Sequence, residues 1–188
     1  MSTAPAEIKT SRLRMRRLRA DDISKFAAMN ADPHVMEFFP RPRSLSESQT
    51  MLQKINFGFD ERGFGTYAVE FETDFAGLIG LSVPSFEAPF TPCVEILWRL
   101  RPHFWGKGIA SEGAAAILDL AFRTLLLREV VAFTVAINSR SIRVMERLGM
   151  KREEDFEHPT VTDARLKRHV LYRARAELFL SSQGRQTT

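Results

Sequence analysis

One segment restricts the fold more than any other: Leu100-Arg-Pro-His-Phe-Trp-Gly106-Lys-Gly108-Ile-Ala-Ser-Glu112. The apolar run from Cys93 to Leu100 reads as a strand. A glycine loop follows, and then a helix with Ile109, Gly113, Ile117, Leu120 and Ala121 on one face. A strand that feeds a helix in this way packs that helix on its own sheet, which points to an α/β arrangement. Glycine lets backbone approach a ligand closely, because no Cβ intervenes. The helix N-terminus adds unpaired N–H groups and a partial positive charge. The segment therefore reads as a cradle for a phosphate or pyrophosphate, with Lys107 adding a full charge; a plain tight turn is the alternative. It is not the Gly-x-x-x-x-Gly-Lys-Ser/Thr loop of nucleotide hydrolases. Nor is it the dinucleotide fingerprint, because Ser111 stands where the third glycine would be.

The rest of the chain mixes strands and helices around one sheet. Leu13 and Met15 alternate with arginines in a first strand. Asp21 or Asp22 caps a helix that Asp32-Pro33 breaks. Ser44-Leu-Ser-Glu47 has the form of a capping box, and Gly63 and Gly65 end the helix it opens. Thr66–Glu72 and Ala76–Val83 read as an antiparallel hairpin. Between Pro84 and Pro92 lies a proline-rich loop carrying Phe86 and Phe90, and loops of that length in a compact domain are often functional. Val130–Ile137 is a further strand. Asn138 or Ser139 then caps a helix with Ile142, Met145 and Leu148 on one stripe and Gly149 at its C-cap. A last strand pair falls near 151–156 and 168–175. The expected layout is a loose tail over residues 1–10, one domain over 11–180 and a polar tail over 181–188.

Composition supports that frame. With 44% hydrophobic and 27% charged residues, the chain falls among globular proteins and outside the disordered and collagen-like classes. The net charge of +4 suits an anionic ligand as well as it suits nucleic acid. The arginines from Arg12 to Arg19 read as the solvated face of an edge strand, with a nucleic-acid-binding arm as the competing idea. Cys93 is the only cysteine, so no internal disulfide forms, and it reads as an incidental thiol rather than a nucleophile. That, with no apolar leader in the first residues, points to the cytoplasm. Four scattered histidines and one cysteine give no metal-ligand spacing, and no window is apolar enough for a membrane span.

Several of these pieces together resemble the GCN5-related N-acetyltransferase (GNAT) superfamily. Trp105-Gly-Lys-Gly-Ile-Ala110 occupies the place of its Arg/Gln-x-x-Gly-x-Gly/Ala motif, and the Trp-Gly-Lys-Gly form followed by Ser-Glu looks like the RimJ/RimL-type branch. Thr10-Ser-Arg-Leu-Arg-Met-Arg16 is similar to the opening strand, Val94-Glu-Ile-Leu-Trp-Arg99 to the central strand, and Asn138-Ser-Arg-Ser141 through Leu148-Gly-Met150 to the last helix and its stop. The resemblance runs from about Thr10 to Glu177. It implies a single α/β domain with a mostly antiparallel, mixed sheet of six or seven strands. That sheet splays at its centre, between the strands ending near Leu100 and Val135, and about four helices flank it. Acetyl-CoA would be the cosubstrate, its pantetheine arm in the splay. Its pyrophosphate would rest on Trp105, Gly106, Lys107, Gly108, Ile109, Ala110 and Ser111, with the main chain of Trp98, Arg99 and Leu100 along the arm and Asn138 at the thioester end. A homodimer is also a family habit.

Acetyl transfer requires a neutral amine, and free amines are largely protonated near neutral pH, so a base or a dehydrating pocket is needed. Glu95 is the candidate base, as the carboxylate of the central strand set among apolar neighbours. A structural carboxylate bonded to backbone or to Arg99 is the other reading. Ser141 is the candidate acid or water-orienting group, and otherwise an ordinary first-turn serine. Many relatives carry a tyrosine four residues before the glycine of the last helix's stop. Here that place holds Met145. Asp155-Phe-Glu-His158 and Lys167-Arg-His169-Val-Leu-Tyr172 look like a pattern of an uncharacterised subgroup, which would set His158 and His169 beside the acceptor. Phe38, Phe39, Phe86 and Phe90 either wall that pocket or fill the core. The acceptor is a small-molecule or peptide amine. A non-catalytic acyl-CoA-binding or sensing module is the alternative, and no nucleic-acid or membrane partner is expected.

Overall fold

Alternating apolar and polar residues lay down most of the sheet in the first half of the chain. The structure, a computed structural model, describes residues 3–183. The elements run β1 (Glu7–Lys9), β2 (Leu13–Arg16), α1 (Ile23–Ala31), α2 (Leu45–Arg62), β3 (Thr66–Phe71), β4 (Asp74–Ser82), β5 (Glu95–Leu100) and α3 (Ile109–Asp119), which continues as a π turn over Leu120–Thr124. Then come β6 (Glu129–Val135), α4 (Ser139–Arg147), β7 (Lys151–Arg152), β8 (Phe156–Glu157), α5 (Ala164–Lys167), β9 (Arg168–Arg175) and α6 (Ala176–Gln183). The strands form one sheet in the order β1-β2-β3-β4-β5-β6-β9-β7, with β8 also on β9. Every pairing is antiparallel except β5 with β6. The mixed, mostly antiparallel sheet is the one expected. Among the described residues its nine strands exceed six or seven because β1, β7 and β8 are pieces of two or three residues, and its six helices exceed the expected four because the four-residue α5 and the α6 that follows β9 add to them.

Local signals act as read. Ser44 Oγ accepts from the Glu47 N–H while the Glu47 carboxylate accepts from the Ser44 N–H, which closes the capping box at the start of α2. Gly63 then ends that helix in the left-handed conformation. Two expectations about the N-terminal region need correction. Residues 1–10 are not a loose tail throughout: Glu7–Lys9 pair with β2, and the Tyr67 hydroxyl donates to the Pro5 carbonyl at 2.7 Å. β2 is therefore an inner strand rather than an edge, and while Arg12, Arg14 and Arg19 are exposed as expected, Arg16 is not on a solvated face. Arg16 is 7% exposed and forks onto Asp22, Arg14 meets Glu7 and Arg17 meets Asp60. At the other end, 181–183 complete α6, and the remainder of the expected tail lies outside the described residues.

The two faces of the sheet are covered differently. Ile96, Trp98 and Leu100 of β5 join Ile109 and Ile117 of α3 in the larger core. Leu78 of β4, on the opposite face, packs with Phe26 and Met29 of α1 and with Met51, Leu52 and Ile55 of α2. Side chains alternate along a strand, so Glu95, Leu97 and Arg99 share this second face. All three remain partly exposed although β5 is a central strand. Over the β6–β9 half, the proline-rich loop lays Phe86 and Phe90 against Phe133 and Phe156. The exposed floor of β5 thus lies between a helical wall and an aromatic wall.

Candidate active site

β5 and β6 run parallel but meet at one residue pair, Glu95 with Val131, where the Val131 N–H donates to the Val94 carbonyl at 2.9 Å. Beyond it the two strands share no ladder, so the edge of β5 from Ile96 onward is open toward β6. A crevice at the carboxyl ends of neighbouring parallel strands is the usual ligand position in such sheets. Both helices that follow, α3 and α4, begin at that end.

The glycine loop stands at the mouth of the crevice. Gly106 (φ 74°) and Gly108 (φ 77°) both lie in the left-handed region, which a side chain at either place would strain. A Cβ at Gly106 would meet nothing within 4 Å, and one at Gly108 would meet only the Arg12 guanidinium, at 3.4 Å. The backbone is therefore bare toward solvent. Gly108 is the N-cap of α3 and supplies no side chain to its first turn, so the N–H groups of Ile109, Ala110 and Ser111 have no intrahelical acceptor. This surface suits a diphosphate. Ile109 itself is 1% exposed and contributes through its main chain alone, while its side chain anchors the helix. Trp105 closes the inner side: its indole donates to the Leu100 carbonyl at 2.8 Å, and the Arg140 guanidinium stacks on its ring at 4.2 Å. One carbonyl lone pair of Leu100 is thus already bonded, which leaves Trp98 as the freer main-chain group on the open edge; the Arg99 N–H and C=O were expected there too but face β4, because main-chain groups alternate along the strand from Val94, whose carbonyl faces β6.

Asn138 and Ser141 come together at the start of α4. Asn138 Oδ1 accepts from the Ser141 N–H at 3.2 Å, so it is the helix cap. Its Nδ2 donates to Thr134 Oγ1 at 2.9 Å and to Ser141 Oγ at 3.1 Å. Ser141 Oγ also accepts from the Trp98 indole at 3.3 Å, a bond that spans the crevice from β5 to α4. With two N–H donors on that oxygen, the hydroxyl proton is directed elsewhere. Met145 is 1% exposed and part of the core, so the place where relatives carry a tyrosine is here a packing position.

Glu95 sits at the point where β5 and β6 part. Its side chain accepts from the Ser82 hydroxyl at 3.1 Å and bonds neither to backbone nor to Arg99. Burial pushes its carboxyl up to about 7, and the Ser82 hydrogen bond and the charge of Arg99 only partly oppose that. Cys93, two residues before it, is a half-buried thiol pushed up to about 11, first by burial and then by Glu95, so it is a poor nucleophile at neutral pH.

Phe86, His158 and His169 do meet. Phe86 lies 4.3 Å from the His158 ring and the two histidines are 4.9 Å apart, with Phe133 and Phe156 completing the cluster. Burial holds both histidines below their ordinary value, so they are neutral near pH 7. The register carries this cluster onto the Glu95 face: Glu95 pairs with Val131, and Val135, four residues along β6, pairs with His169. Phe38 is elsewhere. It lies under Arg140, whose guanidinium also covers Trp105, and so stands at the cradle rather than in the aromatic wall.

Three participants were not legible from spacing. Glu112, one turn into α3, collects Thr10, Ser11 and Arg12 from the turn before β2. The Arg99 side chain reaches Asn30 on α1, and its guanidinium stacks on Phe39 at 4.2 Å. Arg43, just before α2, is placed by its N–H donating to the Asn30 carbonyl at 2.9 Å. The one available hint was the Arg41-Pro-Arg43 pair between two acids, Glu37 and Glu47, which Arg140 and Arg41 take.

Comparison with known proteins agrees with this geometry. Residues 12–151 match the family described as acetyltransferase (GNAT) domain. The FsC-acetyl coenzyme A-N(2)-transacetylase of Aspergillus fumigatus is 34% identical over 160 residues, covering 81% of this chain and 68% of that protein. A GNAT-family acetyltransferase from Bacillus anthracis superimposes with a TM-score of 0.75 at 25% identity, over 91% of this chain and 99% of that one. RimJ of Mycobacterium smegmatis, solved with a CoA disulfide, shares the fold with a TM-score of 0.74 at 18% identity, over 92% of this chain and 90% of its own.

Proposed function

This chain belongs to the GNAT family of N-acetyltransferases, and we propose that it moves the acetyl group of acetyl-CoA directly onto a primary amine, small molecule or peptide N-terminus, within a ternary complex. Acetyl-CoA supplies an acyl group already activated as a thioester, so that a C–N bond to the amine forms as the C–S bond breaks. The residues present fit it. The first-turn amides of α3 with Gly106 and Gly108 hold the diphosphate, and the parted edge of β5 holds the arm.

Glu95 removes the ammonium proton. A carboxyl that titrates near 7 is ionised often enough to act at neutral pH and basic enough to accept. Ser141 holds its O–H toward the departing sulfur, because Trp98 and Asn138 occupy its oxygen from the other side. The aromatic wall of Phe86, Phe133 and Phe156 excludes water from the acceptor side.

The observation that carries this reading is the place of Glu95: a raised-pKa carboxyl at the residue pair where the central strands separate. Calorimetric titration with acetyl-CoA, followed by an amine-acceptor screen, tests it. Micromolar binding lost in Gly108→Glu, with turnover lost in Glu95→Gln, is the expected pattern. Binding without turnover of any amine would favour the acyl-CoA-sensing module instead, for which Met145 in the tyrosine place speaks. No binding at millimolar acetyl-CoA would end both.

A further inference from the structure

The floor of β5 carries two arginines that no carboxylate touches. Burial and then the nearby charge of Arg43 lower the Arg99 pKa, Glu95 opposes them from farther along the strand, and no carboxylate among the described residues lies within ion-pair distance of either arginine. Arg99 has one side-chain hydrogen-bond partner, the neutral Asn30, at 2.8 Å. The Nε atoms of both arginines are buried with no hydrogen-bond partner at all. This is unusual in a chain whose other inward-facing arginines, Arg16 and Arg173, are met by Asp22, Glu70, Glu129 and Glu153. A guanidinium that is partly desolvated without an ion-pair partner loses hydration and gains no contact charge in return, which leaves it disposed to bind an anion.

The guanidinium of Arg99 is also held in a fixed pose. Asn30 is wholly buried and anchored through its Nδ2 to Ser48 Oγ at 3.1 Å, so its carbonyl oxygen offers Arg99 a rigid acceptor. Phe39 supports the guanidinium plane at 4.2 Å. Nε is buried out of a ligand's reach, and the free N–H groups of the two terminal nitrogens form a planar fork, the geometry that grips a carboxylate or phosphate through two parallel bonds. Glu95 and Arg99 occupy the same face of one strand, four residues apart, so an anion on the fork and an amine at Glu95 belong to one small molecule or one chain end.

We propose that the acceptor is an anionic amine, one that carries a carboxylate or phosphate group which Arg99 and Arg43 bind while Glu95 receives the proton of the amine. This rests on the acetyl-transfer reading given above and deepens it. The aromatic wall opposite would take an apolar side chain, so an amino acid with its own free carboxylate fits all three surfaces.

Product-like ligands test this without knowledge of the natural acceptor. Protein loaded with CoA is titrated with N-acetylphenylalanine, with N-acetylphenylalaninamide and with N-acetylphosphoethanolamine. The acid is expected to bind roughly tenfold or more tightly than the amide. That preference should vanish in Arg43→Gln, and it should shrink in Arg99→Lys, which keeps the charge but loses the fork. Preferential binding of the phosphate ligand would assign the anion as phosphate. Equal binding of acid and amide, or an acid preference unchanged in both variants, would overturn the proposal while the acetyl-transfer reading stands. Failure of CoA itself to bind would remove that reading and this one together. Circular dichroism and CoA affinity of each variant separate a lost anion site from a lost fold.

Discussion

The Arg12 guanidinium and the Glu112 carboxylate, a hundred residues apart in the chain, meet at 2.6 Å beside the glycine cradle. Glu112 also accepts from the hydroxyls of Thr10 and Ser11 and from the Arg12 N–H, while Arg12 donates to the Lys107 carbonyl at 3.1 Å. One side chain thus ties the turn before β2 to both ends of the cradle. Burial works to raise the Glu112 carboxyl, but these hydrogen bonds more than offset it and hold the group below its ordinary 4.5.

Glu112→Ala is therefore expected to weaken acetyl-CoA binding as well as the fold. The loss of several charge-assisted hydrogen bonds at a partly exposed site suggests about 1–2 kcal/mol of stability, or a few degrees of melting temperature. Looser cradle geometry should raise the acetyl-CoA dissociation constant by about tenfold. The stabilising contribution is complete above the unfolded carboxyl's pKa, and it fades as pH falls through the lower folded value. Thermal melts at several acidic pH values, paired with calorimetry at neutral pH, check both parts. A variant that melts early yet binds normally would make the clamp purely structural.

Arg16 makes the larger demand on stability. It lies in β2, 7% exposed, with a fork of 2.7 and 2.8 Å onto Asp22 and a further contact to Glu70 at 2.6 Å. Burial alone would raise the Asp22 carboxyl, but the Arg16 fork and the Arg19 N–H hold it below 3.8. Arg16→Gln strands the Asp22 carboxylate and leaves Glu70 with Arg14 alone, and breaking a buried pair in this way costs about 3–5 kcal/mol. The melting temperature should fall by about 10 °C. The wild-type stability lost as pH drops through the folded Asp22 value should be largely missing from the variant. An unchanged melting temperature would return Arg16 to the solvated face that its neighbours in sequence suggested.

How far the sequence could be read follows from which signals are local. Ser44–Glu47, Gly63, Asn138 and Gly149 are cap signals set by residues within one helical turn, and each acts where spacing places it. The cradle was legible because Gly106 and Gly108 must adopt positive φ ahead of a helix, whatever lies around them. β1 was missed because Glu7-Ile-Lys9 is too short to show a period and takes its order from β2. Arg16 misled because its alternation with apolar residues looks the same whether carboxylates or water receive it. Glu70, Asp22 and Glu112 arrive from separate elements. The Arg43–Asn30–Arg99 cluster was invisible for the same reason: three elements contribute to it, and none carries a motif.

Ser141 offers a cleaner kinetic test than any fold residue. Its side chain caps nothing, because the N-cap of α4 is Asn138, so its removal should leave the helix intact. Ser141→Ala is expected to lower kcat by about tenfold to a hundredfold, less than a full acid would cost, because a thiolate leaves without obligatory protonation. The KM for acetyl-CoA should change little. Ser141→Cys, which keeps a weak donor, should recover part of the rate. An unaltered kcat in Ser141→Ala would leave only its hydrogen bonds to Trp98 and Asn138, and would assign the proton to water.

Glu95 sets catalysis against stability, and the two can be measured in opposite directions. Its folded pKa of about 7 lies above the ordinary 4.5, so the folded state binds the proton more tightly than the unfolded chain does. That contribution is fully present below 4.5, declines as pH rises toward 7, and is absent above it. The base must be ionised to act, so kcat/KM should climb with pH up to about 7 and then level. Glu95→Gln keeps the shape without the buried charge. At about pH 8 it is expected to melt above the wild type, with the gap closing toward mild acid. Its kcat/KM should fall by about a hundredfold or more and lose the acidic limb of the profile. A carboxyl kept for structure would give the reverse: a variant less stable at every pH, with its rate profile intact. A buried group whose removal stabilises the fold and abolishes the rate is one retained for chemistry.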